Sequence, residues 1–106
     1  MSYRFMRILV MFDLPTETAE DRKAYRKFRK GIIKNGFFMM QESTYCKLIL
    51  NESAKNNAVL ALKKIKPAKG LVQVLSVTEK QFQKMEFLVG DGKTDIIDTD
   101  ERLVIF

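Results

Sequence analysis

Apolar residues in this chain gather into short runs separated by two longer stretches of helical periodicity. Phe5-Met6-Arg7-Ile8-Leu9-Val10-Met11-Phe12 is nearly continuous and reads as a strand buried on both faces. It stops at Asp13-Leu14-Pro15. Thr16-Glu17-Thr18-Ala19-Glu20 then has the marks of a helix start, with Thr16 or Thr18 as cap and Glu17, Glu20 and Asp21 at the positive end of the dipole. This helix should run to Asn35-Gly36, with Ala24, Phe28 and Ile32 as its apolar face and Tyr25 alongside. Phe37–Met40 and Thr44–Leu50 read as strands joined tightly through Gln41-Glu42-Ser43. Asn51-Glu52-Ser53 opens a second helix with Ala54, Ala58, Leu62 and Ile65 inward and Val59 beside them, ended by Pro67 and Gly70. Leu71–Val77 is a fourth strand and Gln81–Met85 a helical turn. Phe87-Leu88-Val89 is short and strand-like, Gly90-Asp91-Gly92 a turn, and Leu103-Val104-Ile105-Phe106 a last apolar strand.

The order β-α-β-β-α-β predicts an α+β, ferredoxin-like unit: an antiparallel sheet with both helices on one face. The other face stays open unless a second chain covers it, so a homodimer is expected. Residues 1–90 form the domain, and residues 91–106 an acidic tail of the same unit that ends in a docking strand. Four consecutive apolar residues, Leu103 to Phe106, are a liability unless paired, so strand addition onto a partner subunit or another protein suits them.

Composition narrows the chemistry. At 106 residues the chain is one domain with a small core. It has no histidine, which removes Ser–His and Cys–His nucleophile pairs, His-ligated zinc and a His general base. The single Cys46 rules out a disulfide framework and fits a reducing cytoplasm, where a buried thiol in a strand is the plain reading. The N-terminal apolar run is cut short by Asp13 and reads as neither signal peptide nor membrane span. The formal charge of +6 is uneven: residues 1–90 hold 17 Lys/Arg against 8 Asp/Glu, net +9, and residues 91–106 hold two against five, net −3. A basic body implies an anionic partner.

Two features carry candidate chemistry. Asp13 ends a rigid strand at the rim of the core, where a carboxylate can face solvent and hold a metal; a turn-forming Asp before Leu-Pro is the plainer alternative. The first helix carries two adjoining basic stripes, Arg22/Arg26/Arg29 and Lys23/Lys27/Lys30/Lys34. Seven cations with no acid between Arg22 and Lys34 repel one another at i, i+4 spacing, so the face asks for a compensating anion. Such a face would contact backbone phosphates with little sequence preference. Lys63, Lys64, Lys66 and Lys69 read more simply as a solvated helix end, and Tyr45 and Phe37 as strand core rather than base-stacking platforms.

In this order and spacing, Phe12-Asp13-Leu14-Pro15, the Arg-rich helix and Gln41-Glu42-Ser43-Thr44-Tyr45 resemble the CRISPR-associated Cas-two family, whose corresponding stretch is Gln-x-Ser-Val-Phe. Val74-Leu75-Ser76-Val77-Thr78-Glu79-Lys80-Gln81-Phe82 and the Asp-rich ending look like the version found beside Cas-nine effectors. One departure is Met39, where many members carry Arg. The resemblance implies a homodimer whose two Asp13 side chains face each other and share Mg2+. It also implies that the dimer sits between dimers of a Cas-one-type integrase and holds double-stranded DNA for spacer acquisition. Some relatives are similar to metal-dependent endonucleases of RNA or DNA, which would make Asp13 catalytic as well as metal-binding. A stand-alone Mg-dependent endoribonuclease of toxin type is the alternative. A small-ligand regulatory domain is a third reading, disfavoured by the basic helix.

Overall fold

The computed structural model describes residues 5–90. The elements are β1 (Met6–Asp13), α1 (Ala19–Lys34), β2 (Phe38–Gln41), β3 (Thr44–Ile49), α2 (Glu52–Ile65), β4 (Leu71–Thr78) and the short α3 (Glu79–Gln83). The strands form one antiparallel sheet in the order β2-β3-β1-β4, so the first strand made becomes a central one. Both long helices lie on one face, and the ferredoxin-like expectation holds for the described residues.

The core follows from strand alternation. Ile8, Val10 and Phe12 point to the helix-covered face with Tyr45 and Ile49 of β3, and meet Phe28 and Ile32 of α1 and Ala58 and Leu62 of α2. Phe12 ties this core together through edge contacts with Tyr25 and Phe28 and a stacked contact with Tyr45, at centroid distances of 5.9, 5.2 and 5.9 Å. Truncating Phe28, which is 1% exposed, would cost about 3–5 kcal/mol by the usual loss for a buried aromatic. Thr18 caps α1 in a reciprocal box with Asp21, and Asn51 caps α2 by accepting from the Ala54 N–H at 2.7 Å. The stop at Asn35-Gly36 falls where the sequence puts it.

Four details differ from the sequence reading. β1 is not equally buried on its two faces: Ile8 and Val10 are wholly covered, whereas Met11 is half-buried and Asp13 exposed on the other side. Ala24 is exposed, and Tyr25 takes its place against the core, because α1 is rotated to bring Tyr25, Phe28 and Ile32 over the sheet. The third helix begins two residues early, at Glu79, because Thr78 and Gln81 form a second capping box. Phe87–Val89 forms no strand; Leu88 and Val89 are 92% and 93% exposed, since no strand among the described residues lies beside them to offer a ladder. The acidic tail, with the docking strand expected at Leu103–Phe106, lies outside the described residues. No helix among the described residues is long and apolar enough to cross a membrane.

Candidate nucleic-acid interface

All seven basic residues of α1 are exposed: Arg22, Lys23, Arg26, Lys27, Arg29, Lys30 and Lys34. Among the described residues the ion pairs are Arg7–Glu79, Lys55–Glu52 and Lys69–Asp21, so none of the seven is neutralised by an acid. They are not equivalent, however. Arg22 turns back to donate to the Thr16 and Glu17 carbonyls, both at 3.1 Å, bracing the loop before the helix. Arg29 donates from Nε to the hydroxyl of Tyr45 at 2.9 Å. Asp21, the acid closest in sequence, is occupied by the Thr18 N–H and faces Lys69 Nζ at 3.8 Å.

Asp13 is the last residue of β1, exposed, and opposite Leu71 in the sheet. Its backbone is held in place from the α2–β4 connection. Gly70 has φ +93°, and a Cβ there would fall 2.8 Å from the Asp13 carbonyl oxygen and 2.6 Å from Leu14 Cδ2. Only glycine suits both that angle and that approach. The carboxylate is thus mounted on a rigid strand end, as a metal or catalytic group requires. Among the described residues no group of three or more acids, cysteines or histidines is placed to hold a metal ion.

Strand alternation separates the two candidate features. Asp13 shares the open face of the sheet with Leu9 and Met11, while α1 covers the opposite face. In one chain the fold therefore places Asp13 and the basic helix on opposite sides of the sheet.

The open face holds a cluster that sequence reasoning missed. Arg7 makes a two-pronged ion pair with Glu79, Nε to Oε1 at 2.7 Å and Nη2 to Oε2 at 3.1 Å. Its guanidinium carbon lies 4.4 Å from the centre of the Phe82 ring, and Nη1 donates to Cys46 Sγ at 3.7 Å. The Glu79 N–H also bonds the Phe5 carbonyl at 3.1 Å. Together these contacts hold α3 against the sheet. The hydrogen bond from Arg7 lowers the Glu79 pKa below the ordinary glutamate value, with partial burial opposing. Burial opposes the Arg7 charge, but hydrogen bonds to Glu79 and Cys46 outweigh it and raise the guanidinium pKa. Burial pushes the Cys46 thiol up despite Arg7, so it stays protonated and structural. The readable signals were the Thr78-x-x-Gln81 capping box and an arginine interrupting an apolar strand.

Beyond α3 the open face is apolar and accessible: Phe38, Leu48, Leu71 and Leu75 are 53%, 39%, 53% and 50% exposed, and the register places them on one side of the sheet. A four-stranded antiparallel sheet with two helices on one face, a basic outer helix and, among the described residues, an uncovered apolar face defines a ferredoxin-like α+β protein. Residues 6–85 match the family model of CRISPR associated protein Cas2, and the chain belongs to that family. It is 52% identical over 100 residues to the CRISPR-associated endoribonuclease Cas2 of Treponema denticola, covering 94% of this chain and 99% of the relative. It is also 52% identical over 99 residues to the protein of the same name from Streptococcus mutans serotype c strain UA159, covering 93% and 91%. A solved structure described as "Crystal structure of cas2" superposes with a TM-score of 0.57 at 18% identity, covering 82% of this chain and 88% of that one, which supports the fold.

Proposed function

We propose that this protein acts in CRISPR adaptation as a cytoplasmic homodimeric scaffold that binds duplex DNA along α1 and bridges dimers of a Cas-one-type integrase during spacer acquisition. The observation that carries the reading is the α1 surface, where seven exposed cations have no acidic partner among the described residues. Repulsion along such a helix is relieved by phosphates, and one helix face reaches backbone phosphates rather than base edges. The dimer is supported by the uncovered apolar sheet face, since patches of this kind on soluble domains mark interaction sites. The segment Leu103–Phe106 is the proposed docking strand for the integrase or the partner subunit.

A second reading is favoured by the exposed, rigidly mounted Asp13 and by the relatives' name, endoribonuclease. Magnesium takes one or two carboxylates and keeps several waters and substrate oxygens. Asp13 is the residue that would hold it, and two copies from a dimer would meet that need where one alone is weak. The bound ion would supply charge stabilisation and an activated water at a phosphodiester. No acid, histidine or lysine is hydrogen-bonded to Asp13 among the described residues, which makes the scaffold the stronger reading.

Asp13→Ala separates the two. With a scaffold role, the variant dimerises, binds DNA and supports spacer acquisition beside its integrase as the wild type does, while any metal-dependent cleavage of RNA or DNA disappears. Loss of acquisition with wild-type dimerisation and DNA affinity would make catalysis the function. The dimer has its own check: light scattering at micromolar concentration that returns a monomer, with or without magnesium, removes it.

A further inference from the structure

Among the seven cations of α1, Arg29 is the one whose guanidinium rests on a buried side-chain hydroxyl. Its Nε–H is received by the hydroxyl of Tyr45 at 2.9 Å. Tyr45 is itself packed on every side: its residue is 0% exposed, its ring stacks on Phe12 with planes 20° apart, and it pairs across the sheet with Val10. A surface arginine ordinarily samples many rotamers and loses that freedom on binding. Arg29 is held from beneath by a fully buried group. The guanidinium is planar, so fixing Nε fixes the whole fork. With Nε engaged, the paired Nη1 and Nη2 donors remain as the free edge, the arrangement that meets two oxygens of one phosphate. The cleft in front is lined by Tyr25, Arg29, Met39 and Glu42, and Arg29 forms no ion pair with Glu42.

We infer that Arg29 is the fixed phosphate clamp of the basic helix, and that the buried Tyr45 hydroxyl is its positioning group. The ligand is a phosphodiester of duplex DNA, so the inference rests on the DNA-binding reading above. Lys23, Lys27, Lys30 and Lys34 act as mobile point charges around this clamp, and Tyr45 acts through Arg29 without touching DNA.

The test is a double-mutant cycle read by duplex-DNA affinity over a range of salt, with full-length protein. Arg29→Ala should weaken binding about tenfold and reduce the salt slope by about one. Tyr45→Phe keeps the ring and removes one oxygen; it should weaken binding by about 2- to 10-fold, the usual range for one hydrogen bond. In the Arg29→Ala background, Tyr45→Phe should have no further effect, which a general loss of packing would not reproduce. Equal losses in both backgrounds, or no loss from Tyr45→Phe in the wild type, overturn the inference. Should Tyr45→Phe fail to fold, Arg29→Lys decides the matter: affinity like that of Arg29→Ala supports the clamp, and affinity like that of wild type overturns it. Absence of salt-dependent duplex binding by the wild type would remove the parent reading. Binding that is lost on reversing Arg26 and Lys27 but untouched at Arg29 and Tyr45 would remove the clamp alone.

Discussion

The two faces of the sheet use positive charge in opposite ways. On the open face, Arg7 is surrounded: Glu79 takes two of its donors, Cys46 a third, and Phe82 covers its plane. Over the other face, α1 presents seven cations without an acidic partner among the described residues. A cation paired with a carboxylate of its own chain, as Arg7 is with Glu79, is part of the structure. Cations left without an acid, as along α1, are open to an outside anion. The distinction cannot be drawn from residue type, because arginine occurs in both places. It depends on which acids the fold delivers, and Glu79 reaches Arg7 from 72 residues along the chain.

This contrast can be broken in three ways, taken from the largest expected effect downward. Arg26→Glu with Lys27→Glu should weaken duplex-DNA binding by on the order of a hundredfold at low salt, alike for all sequences, with an unchanged melting temperature. Filter binding or fluorescence anisotropy with two unrelated duplexes checks it, and unaltered affinity would reduce α1 to a solvated face. Arg7→Ala should do the reverse. DNA affinity stays as it was, and unfolding free energy falls by about 1–2 kcal/mol, because Glu79 and Phe82 lose their partner in a partly screened setting. Denaturant titration beside a DNA-binding measurement would expose the contrast as false if Arg7→Ala lost DNA affinity instead.

The smallest effect sharpens the comparison through pH. The folded-state pKa of Glu79 is depressed, chiefly by its hydrogen bond from Arg7. Its stabilisation is therefore fully present above the ordinary glutamate pKa of about 4.3 and is lost as pH falls through the lower folded value. Glu79→Gln should be less stable than wild type by about 1 kcal/mol at pH 7, and the gap should close toward pH 3. Thermal melts of both proteins from pH 3 to 7 measure it; a gap constant across that range would mean that the Arg7 contact contributes nothing through charge.

How legible was this in the sequence? Local signals worked well. The Thr16–Glu20 start, the Asn35-Gly36 stop and the Ala58/Leu62 spacing of α2 each depend on neighbours within a few residues, and the structure agrees with them. The β-α-β-β-α-β order follows from those elements. What periodicity could not supply was the rotation of α1 that exposes Ala24 and half-buries Tyr25, because both lie near the same stripe and only packing on Phe12 selects between them. Nor could it tell that Asp13 and the basic helix lie on opposite sides of the sheet. The Arg7–Glu79 pair and the Arg29–Tyr45 contact join residues far apart in the chain, and long-range partners leave no local trace.

Gly70 has a consequence for how the protein is made. The strand that carries Asp13 is synthesised first, but its neighbours are β3, from residue 44, and β4, from residue 71. Until Thr44–Ile49 has left the ribosome, β1 has no paired edge, and its second edge stays bare until Leu71–Thr78 follows. The close fit of Gly70 on the Asp13 carbonyl belongs to that last step. Long loops must close before such contacts form, which slows folding relative to local structure. The nascent chain therefore carries its most apolar strand unpaired until β3 emerges and half-paired until β4 follows, and the Asp13 corner takes shape only with that last strand.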